Sequence, residues 1–146
     1  MGRRASAPDI DLWRLDLRHA DLRWLVSLRD ANLDGAILYK SDLSFADMSG
    51  ARLNDSVLDR SHLEGAVLEG AHLRNARLRH AHLEFADFTG ADLGGADLRG
   101  ARLIGANFKW AKLAGANFIR ADIRCARLGG ANGLTAEQLE VARRVS

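Results

Sequence analysis

Residues Ala91-Asp92-Leu93-Gly94-Gly95-Ala96-Asp97-Leu98-Arg99-Gly100 contain one five-residue unit twice: an Ala, an Asp, a Leu and two polar or turn-forming positions. Working outward, the unit recurs without a slip of register from Val26 to Gly130. With the Leu as centre i, 21 centres run 28, 33, 38 and so on to 128. Sixteen are Leu, three are Phe (Phe88, Phe108, Phe118), and Met48 and Ile123 complete the set. The i−2 slot holds Ala seventeen times, Ser at Ser41, Ser56 and Ser61, and Val26 once. Every centre is bulky and apolar, and every i−2 slot is small or short.

Neither regular element can use this period. On an α-helix five residues advance about 500°, so successive centres rotate by about 140° and no apolar stripe forms. On a flat strand, slots i−2 and i share a face, but the next pair falls an odd number of residues on and points the other way. Both objections vanish if the chain bends once per pentad, turning i−2 and i inward and i−1, i+1 and i+2 outward. Gly fills ten of the 21 i+2 slots, where a bend asks for unusual φ, and Asp or Asn recurs at i−1, where short side chains bond nearby amides.

The tandem A(D/N)LXX pattern, covering residues 26 to 130, closely resembles the pentapeptide repeat proteins. The resemblance implies an all-β solenoid, a right-handed quadrilateral β-helix with four pentads per coil, so that residues 20 apart stack. At the ~4.8 Å spacing of paired strands, the coils would form a rod about 25–30 Å long.

Upstream, Ile10-Asp11-Leu12, Leu15-Asp16-Leu17 and Ala20-Asp21-Leu22 repeat at five but one residue out of phase, which places a bulge or altered corner near 23–27. Downstream, Gly133 replaces a centre, and Thr135 followed by Gln138 forms a capping box that starts a short C-terminal capping α-helix. The expected organisation is a flexible N-terminus at 1–9, a β-helix at 10–133 and the capping helix at 134–146. Leu139, Ala142 and Val145 would cover the last coil, and Trp13 and Trp24 the other end.

Composition narrows the class. The chain has 146 residues, 21 Lys+Arg against 19 Asp+Glu, and a single cysteine, Cys125. That describes one modest globular domain without a Cys-based metal cage or an internal disulfide. No stretch approaches the ~20 apolar residues of a membrane span, and the N-terminus lacks an apolar signal core, so a cytoplasmic location is expected.

Stacking at 20 residues lets the outer surface be read in columns. The column Leu28, Met48, Leu68, Phe88, Phe108, Leu128 should place two phenyl rings face to face. The face centred on Leu38, Leu58, Leu78, Leu98 and Phe118 carries Lys40, Arg60, Arg77, Arg79, His80, Arg99 and Arg120, opposed by Asp59 and Asp97, with Ile37, Tyr39 and Val57 at its start. This basic stripe with its apolar margin is the candidate partner surface, and Arg79→Glu is expected to leave stability almost unchanged. Direct nucleic-acid binding is not expected, because the face lacks interleaved aromatics and the net charge is only +2. Phe45, Phe85 and Trp110 take i+2 slots, reading either as a contact patch or as corner residues lying along the coil.

His62 and His82 should stack, with Glu64 and Glu84 stacked two slots on. Two imidazoles and two carboxylates could compose a zinc or nickel site, but they equally describe surface His–Glu pairs, and no third His or Cys stands in register beside them. No metal ligand, cofactor site or catalytic residue is assigned: the carboxylates are dispersed, the three inward Ser are core residues, and no phosphate-binding Gly loop precedes a helix.

The leading functional expectation is a non-enzymatic protein-interaction or scaffold module, a monomer or weak homodimer presenting a rigid rod to a protein partner. The resemblance also implies an alternative: binding to DNA gyrase or topoisomerase IV as a mimic of duplex DNA, protecting against poisons such as quinolones. Such mimicry calls for a strongly negative surface, whereas residues 26–130 carry 13 acids and 14 bases.

Overall fold

The computed structural model describes residues 10–23 and 27–143. Parallel bridges join each i−1 residue to its counterpart 20 residues on, as in Asn32 with Arg52, His62 with His82 and Lys112 with Asn132. Four pentads therefore complete one coil, and the coils stack as a parallel β-helical solenoid. In the first coil the bridges are Asp11 with Asn32, Asp16 with Ile37 and Asp21 with Asp42, each 21 residues apart. One extra residue is thus accommodated between Asp21 and Leu28. Residues 24–26, with Trp24, lie outside the described residues, as do 1–9.

One pentad shows why the repeat folds this way. The Ala91 N–H donates to the Phe88 carbonyl (3.0 Å) and closes the turn; Asp92 donates back to Ala71 (2.9 Å); Leu93 and Gly95 donate forward to Lys112 (2.8 Å) and Ala114 (2.9 Å). The remaining amide, Gly94, donates to the Asp92 carboxylate (3.1 Å). All five donors are satisfied, as a backbone of this density requires. Where i−1 is not Asp, Asn or Ser, the i+1 side chain of the preceding coil can accept instead: Asp34 for Asn54 (2.8 Å), Asn54 for Arg74 (3.0 Å) and Asp59 for Arg79 (3.0 Å).

The core is what the pattern dictates. From Leu28 to Phe118 every centre is buried, and so is every Ala at i−2. Phe88 and Phe108 stack at 4.9 Å with planes 2° apart, and Phe118 meets Phe108 edge-on at 6.0 Å. Ser41, Ser56 and Ser61 sit in the small slots and return their hydroxyls to the carbonyls of Leu38, Leu53 and Leu58 at 2.7–2.8 Å, so no buried donor is stranded.

The i+2 slot carries a positive φ whether or not it holds Gly: Lys40 (55°), Phe45 (62°), Arg60 (58°), Phe85 (60°) and Trp110 (61°) all adopt it. With the i+3 to i hydrogen bond, this is the signature of a type II turn. Glycine has a second use at this corner. A Cβ on Gly65 would stand 2.7 Å from the Phe45 ring, on Gly105 2.6 Å from Phe85, and on Gly130 2.2 Å from Trp110. The three aromatics therefore lie along the rod over the bare glycine of the next coil, the corner-residue alternative, while keeping most of their outer surface exposed.

Helix α1 spans Ala136–Arg143. Its capping box is formed, with the Thr135 amide donating to Gln138 Oε1 (2.7 Å) and the Gln138 amide donating to Thr135 Oγ1 (3.2 Å). Gln138 Nε2 also donates to the Ala116 carbonyl of the last full coil (2.7 Å), and Leu134 packs on the core. The side chain of Ala142 and all of Val145 lie outside what is described. Trp13 does not close the other end: it is half exposed, with the Arg14 guanidinium 4.7 Å from its ring.

Two substitutions test the register. Leu73→Asp, at a centre only 1% exposed, places an unpaired charge in the core and should abolish cooperative thermal unfolding; a wild-type melt would refute the inward assignment. Gly90 has a φ of 67° and nothing within 4 Å of its absent Cβ, so Gly90→Ala should cost about 1 kcal/mol in urea unfolding from backbone conformation alone. Gly105→Ala should cost more because the new methyl displaces Phe85, and the excess should disappear in a Phe85→Ala background.

Candidate partner surface

The face centred on Leu38 to Phe118 brings the expected residues together but not as a uniform row of free cations. Arg77 pairs with the buried Asp59, Arg79 Nε lies 2.5 Å from Asp97 Oδ2, and Arg99 makes a bidentate contact with Asp97 at 2.7 and 2.8 Å. Three of the six basic residues of the stripe are thus neutralised within the face. Among the described residues no carboxylate pairs with Lys40, Arg60 or Arg120. These three, with His80, occupy successive i+2 corners, and Gly100 interrupts the row. A Cβ on Gly100 would stand 2.5 Å from His80 Nδ1, so the imidazole leans over the gap. A groove of ≈ 430 Å³ beside it is lined by Arg79, His80, Arg99, Gly100, Ile119 and Arg120.

The apolar margin is partly withdrawn. Ile37 and Val57 are bridged to each other and half-buried. Tyr39 is also half-buried, with His19 edge-on at 5.8 Å and Lys40 Nζ 5.4 Å from its ring centre. Ile119, absent from the sequence expectation, is half exposed at the opposite end of the groove.

The ion pairs follow a rule that the sequence pattern contains: an i+1 residue meets the i−1 residue of the next coil, 18 positions on. Arg29–Asp47, Asp34–Arg52, Asp59–Arg77, Arg74–Asp92, Arg79–Asp97 and Glu84–Arg102 all obey it. Scanning for opposite charges at this spacing would have separated the paired arginines from the free ones. The expectation that Arg79→Glu is silent fails for this reason, since the new carboxylate would face Asp97 and Asp59. On the far side of the coil, two pentads away, the corresponding positions are acidic in the N-terminal half: Asp47, Glu69 and Asp87.

The His–Glu cluster is also formed. His62 and His82 lie with ring centres 4.5 Å apart, and Glu64 Oε1 is 3.1 Å from His62 Nδ1 and 3.4 Å from His82 Nδ1. Glu84 does not join them, because Arg102 Nε holds its Oε1 at 2.6 Å. Burial pushes the Glu64 carboxyl up, but hydrogen bonds from His62, its own backbone and Ser44 outweigh that and hold it below the usual range.

These features define a parallel β-helical repeat solenoid whose distinctive chemistry lies in columns on its outer faces. The chain belongs to the pentapeptide repeat family, whose repeats match it in eight copies at residues 26–55, 56–95 and 101–132. It is similar to the pentapeptide repeat protein HetL, involved in heterocyst differentiation regulation in the cyanobacterium Nostoc sp. strain PCC 7120, at 32% identity over 84% of this chain and 71% of that one (TM-score 0.42). A trypsin-treated form of QnrB1, a plasmid-mediated fluoroquinolone resistance protein, is 23% identical over 80% of this chain and 68% of that one (TM-score 0.50). A pentapeptide repeat protein of the Arabidopsis thaliana thylakoid lumen is 26% identical over 78% and 68% (TM-score 0.35). Among curated proteins none matches the chain. No helix among the described residues is long and apolar enough to cross a membrane.

The Arg79–Asp97–Arg99 cluster has a pH signature. The Arg99 hydrogen bond, opposed by burial and aided by Arg79, holds the Asp97 carboxyl well below the ordinary carboxylate range. Because this value is depressed on folding, the stabilisation is complete above about pH 4 and fades as pH falls toward the folded-state value. Asp97→Asn should therefore lower stability by about 1 kcal/mol at pH 7. In urea unfolding, the gap to wild type should narrow steadily below pH 4.

Proposed function

We propose that this chain is a non-enzymatic interaction module whose basic stripe, formed by Lys40, Arg60, Arg77, Arg79, Arg99 and Arg120 with Ile37, Tyr39 and Val57 at its margin, receives an acidic segment of a protein partner. The observation that carries this reading is the corner row of Lys40, Arg60 and Arg120, which finds no carboxylate among the described residues while the arginines beside it do. Uncompensated cations fixed on a rigid backbone cost little reorganisation on binding and raise the encounter rate of an oppositely charged partner. The coil is taken to be right-handed and quadrilateral, as the family resemblance implies, with α1 serving as its lid, and the working location is the cytoplasm.

Fluorescence anisotropy with a labelled Glu/Asp-rich peptide is the test. The triple variant K40E/R60E/R120E should bind at least tenfold more weakly than wild type, and wild-type binding should weaken with added salt. Equal binding by the variant would overturn the assignment of the surface, and tighter binding of a duplex DNA probe than of the peptide would overturn the class of partner.

The alternative, a DNA gyrase or topoisomerase IV binder, is supported by the acidic strip Asp47, Glu69 and Asp87 on the face opposite the basic one. Charge reversal on that strip, rather than at the basic corner, would abolish any protection of purified gyrase from a quinolone. This difference separates the two readings.

A further inference from the structure

We propose that His62, Glu64 and His82 form a Zn²⁺ site on the face next to the basic stripe. The site is independent of the proposed partner surface. The ligand atoms of the three residues all lie within 4.8 Å of one another. Glu64 Oε1 stands 3.1 Å from His62 Nδ1 and 3.4 Å from His82 Nδ1. A tetrahedral Zn²⁺ with ligand distances of 2.0–2.1 Å has ligand-to-ligand edges of about 3.3 Å, so both separations already match the edges of its coordination shell. Two imidazoles and one carboxylate leave a fourth position, which faces outward from the rod and suits a water molecule.

The backbone positions the ligands before any ion arrives. His62 and His82 are bridged in parallel on adjacent coils; the His82 amide donates to Ser61 (2.9 Å) and the Leu63 amide to the His82 carbonyl (2.8 Å). Glu64 is on the same pentad as His62, one residue past the Leu63 centre. Its other oxygen, Oε2, accepts a hydrogen bond from Ser44 Oγ at 3.1 Å, the kind of supporting contact that orients a ligating carboxylate. Without an ion, Oε1 of Glu64 faces both Nδ1 atoms and draws on a proton from each ring. Zn²⁺ would take both Nδ1 lone pairs with the ring protons on Nε2, leaving two neutral imidazoles and one carboxylate around the ion. Because the ligands come from two coils, the ion would also clamp those coils together.

The experiment is equilibrium dialysis of the full chain against Zn²⁺, with thermal unfolding and Co²⁺ absorption spectra in parallel. Wild type should take up one Zn²⁺ per chain, melt at a higher temperature with Zn²⁺ than with EDTA, and with Co²⁺ show the visible bands of tetrahedral coordination. His62→Ala and His82→Ala should each weaken uptake at least tenfold and abolish the Zn²⁺-dependent rise in melting temperature. The double variant H72A/C125S should behave as wild type. His62, Glu64 and His82 are partly exposed, so circular dichroism without metal will establish that their variants remain folded. Uptake by H62A/H82A equal to wild type, or no uptake by wild type at 50-fold excess Zn²⁺, overturns the site.

Discussion

The constraint on which everything else rests is the parallel hydrogen bonding of each coil to the next at a fixed offset of 20 residues. Within a pentad, four of the five amides are bound by backbone carbonyls, three of them on neighbouring coils and one closing the local turn. The fifth is left to a side chain, which is why Asp and Asn are so frequent at i−1 and why Asp34, Asn54 and Asp59 substitute from the coil before. A slip of one residue would strand these acceptors and turn the Leu centres outward together. The first coil tolerates its extra residue because the insertion falls between pentads, at a corner, so that all three bridges on its N-terminal side shift by the same single step.

Fixed stacking makes the surface a set of columns, and the chemistry of each column is collective. Opposite charges 18 positions apart neutralise one another across coils; individually such exposed pairs contribute little, but their placement determines which cations remain free. Thus Arg77, Arg79 and Arg99 are occupied by Asp59 and Asp97, while the corner row remains available. The same logic sorts the two glutamates of the histidine column. Glu64 meets two imidazoles because no arginine stands 18 positions after it, whereas Glu84 meets Arg102.

The corners show how a large side chain is fitted to a turn that favours glycine. Phe45, Phe85 and Trp110 accept a left-handed backbone, and each rests on a glycine one coil later. The strain of a non-glycine residue at positive φ is therefore offset by ring packing that requires the next residue in the column to lack a Cβ. Alternation of aromatic and glycine along the column Phe45, Gly65, Phe85, Gly105 is a consequence of this fit.

The solenoid, its coil length, the identity of every core column, the stacked Phe88 and Phe108 and the capping box at Thr135 and Gln138 were all legible in the amino-acid order, because a period of five with bulky i and small i−2 has one compact solution. The basic face was legible as a set of residues for the same reason. Tertiary structure decided which members of that set are free, that Phe85 lies down over Gly105, that Arg102 withdraws Glu84, and that both imidazoles converge on one oxygen of Glu64. Periodicity assigns each residue to a column and a side of the wall. The direction of a long side chain is decided by its neighbours on adjacent coils, and those neighbours compete for the same charge within hydrogen-bond distances that no spacing rule resolves.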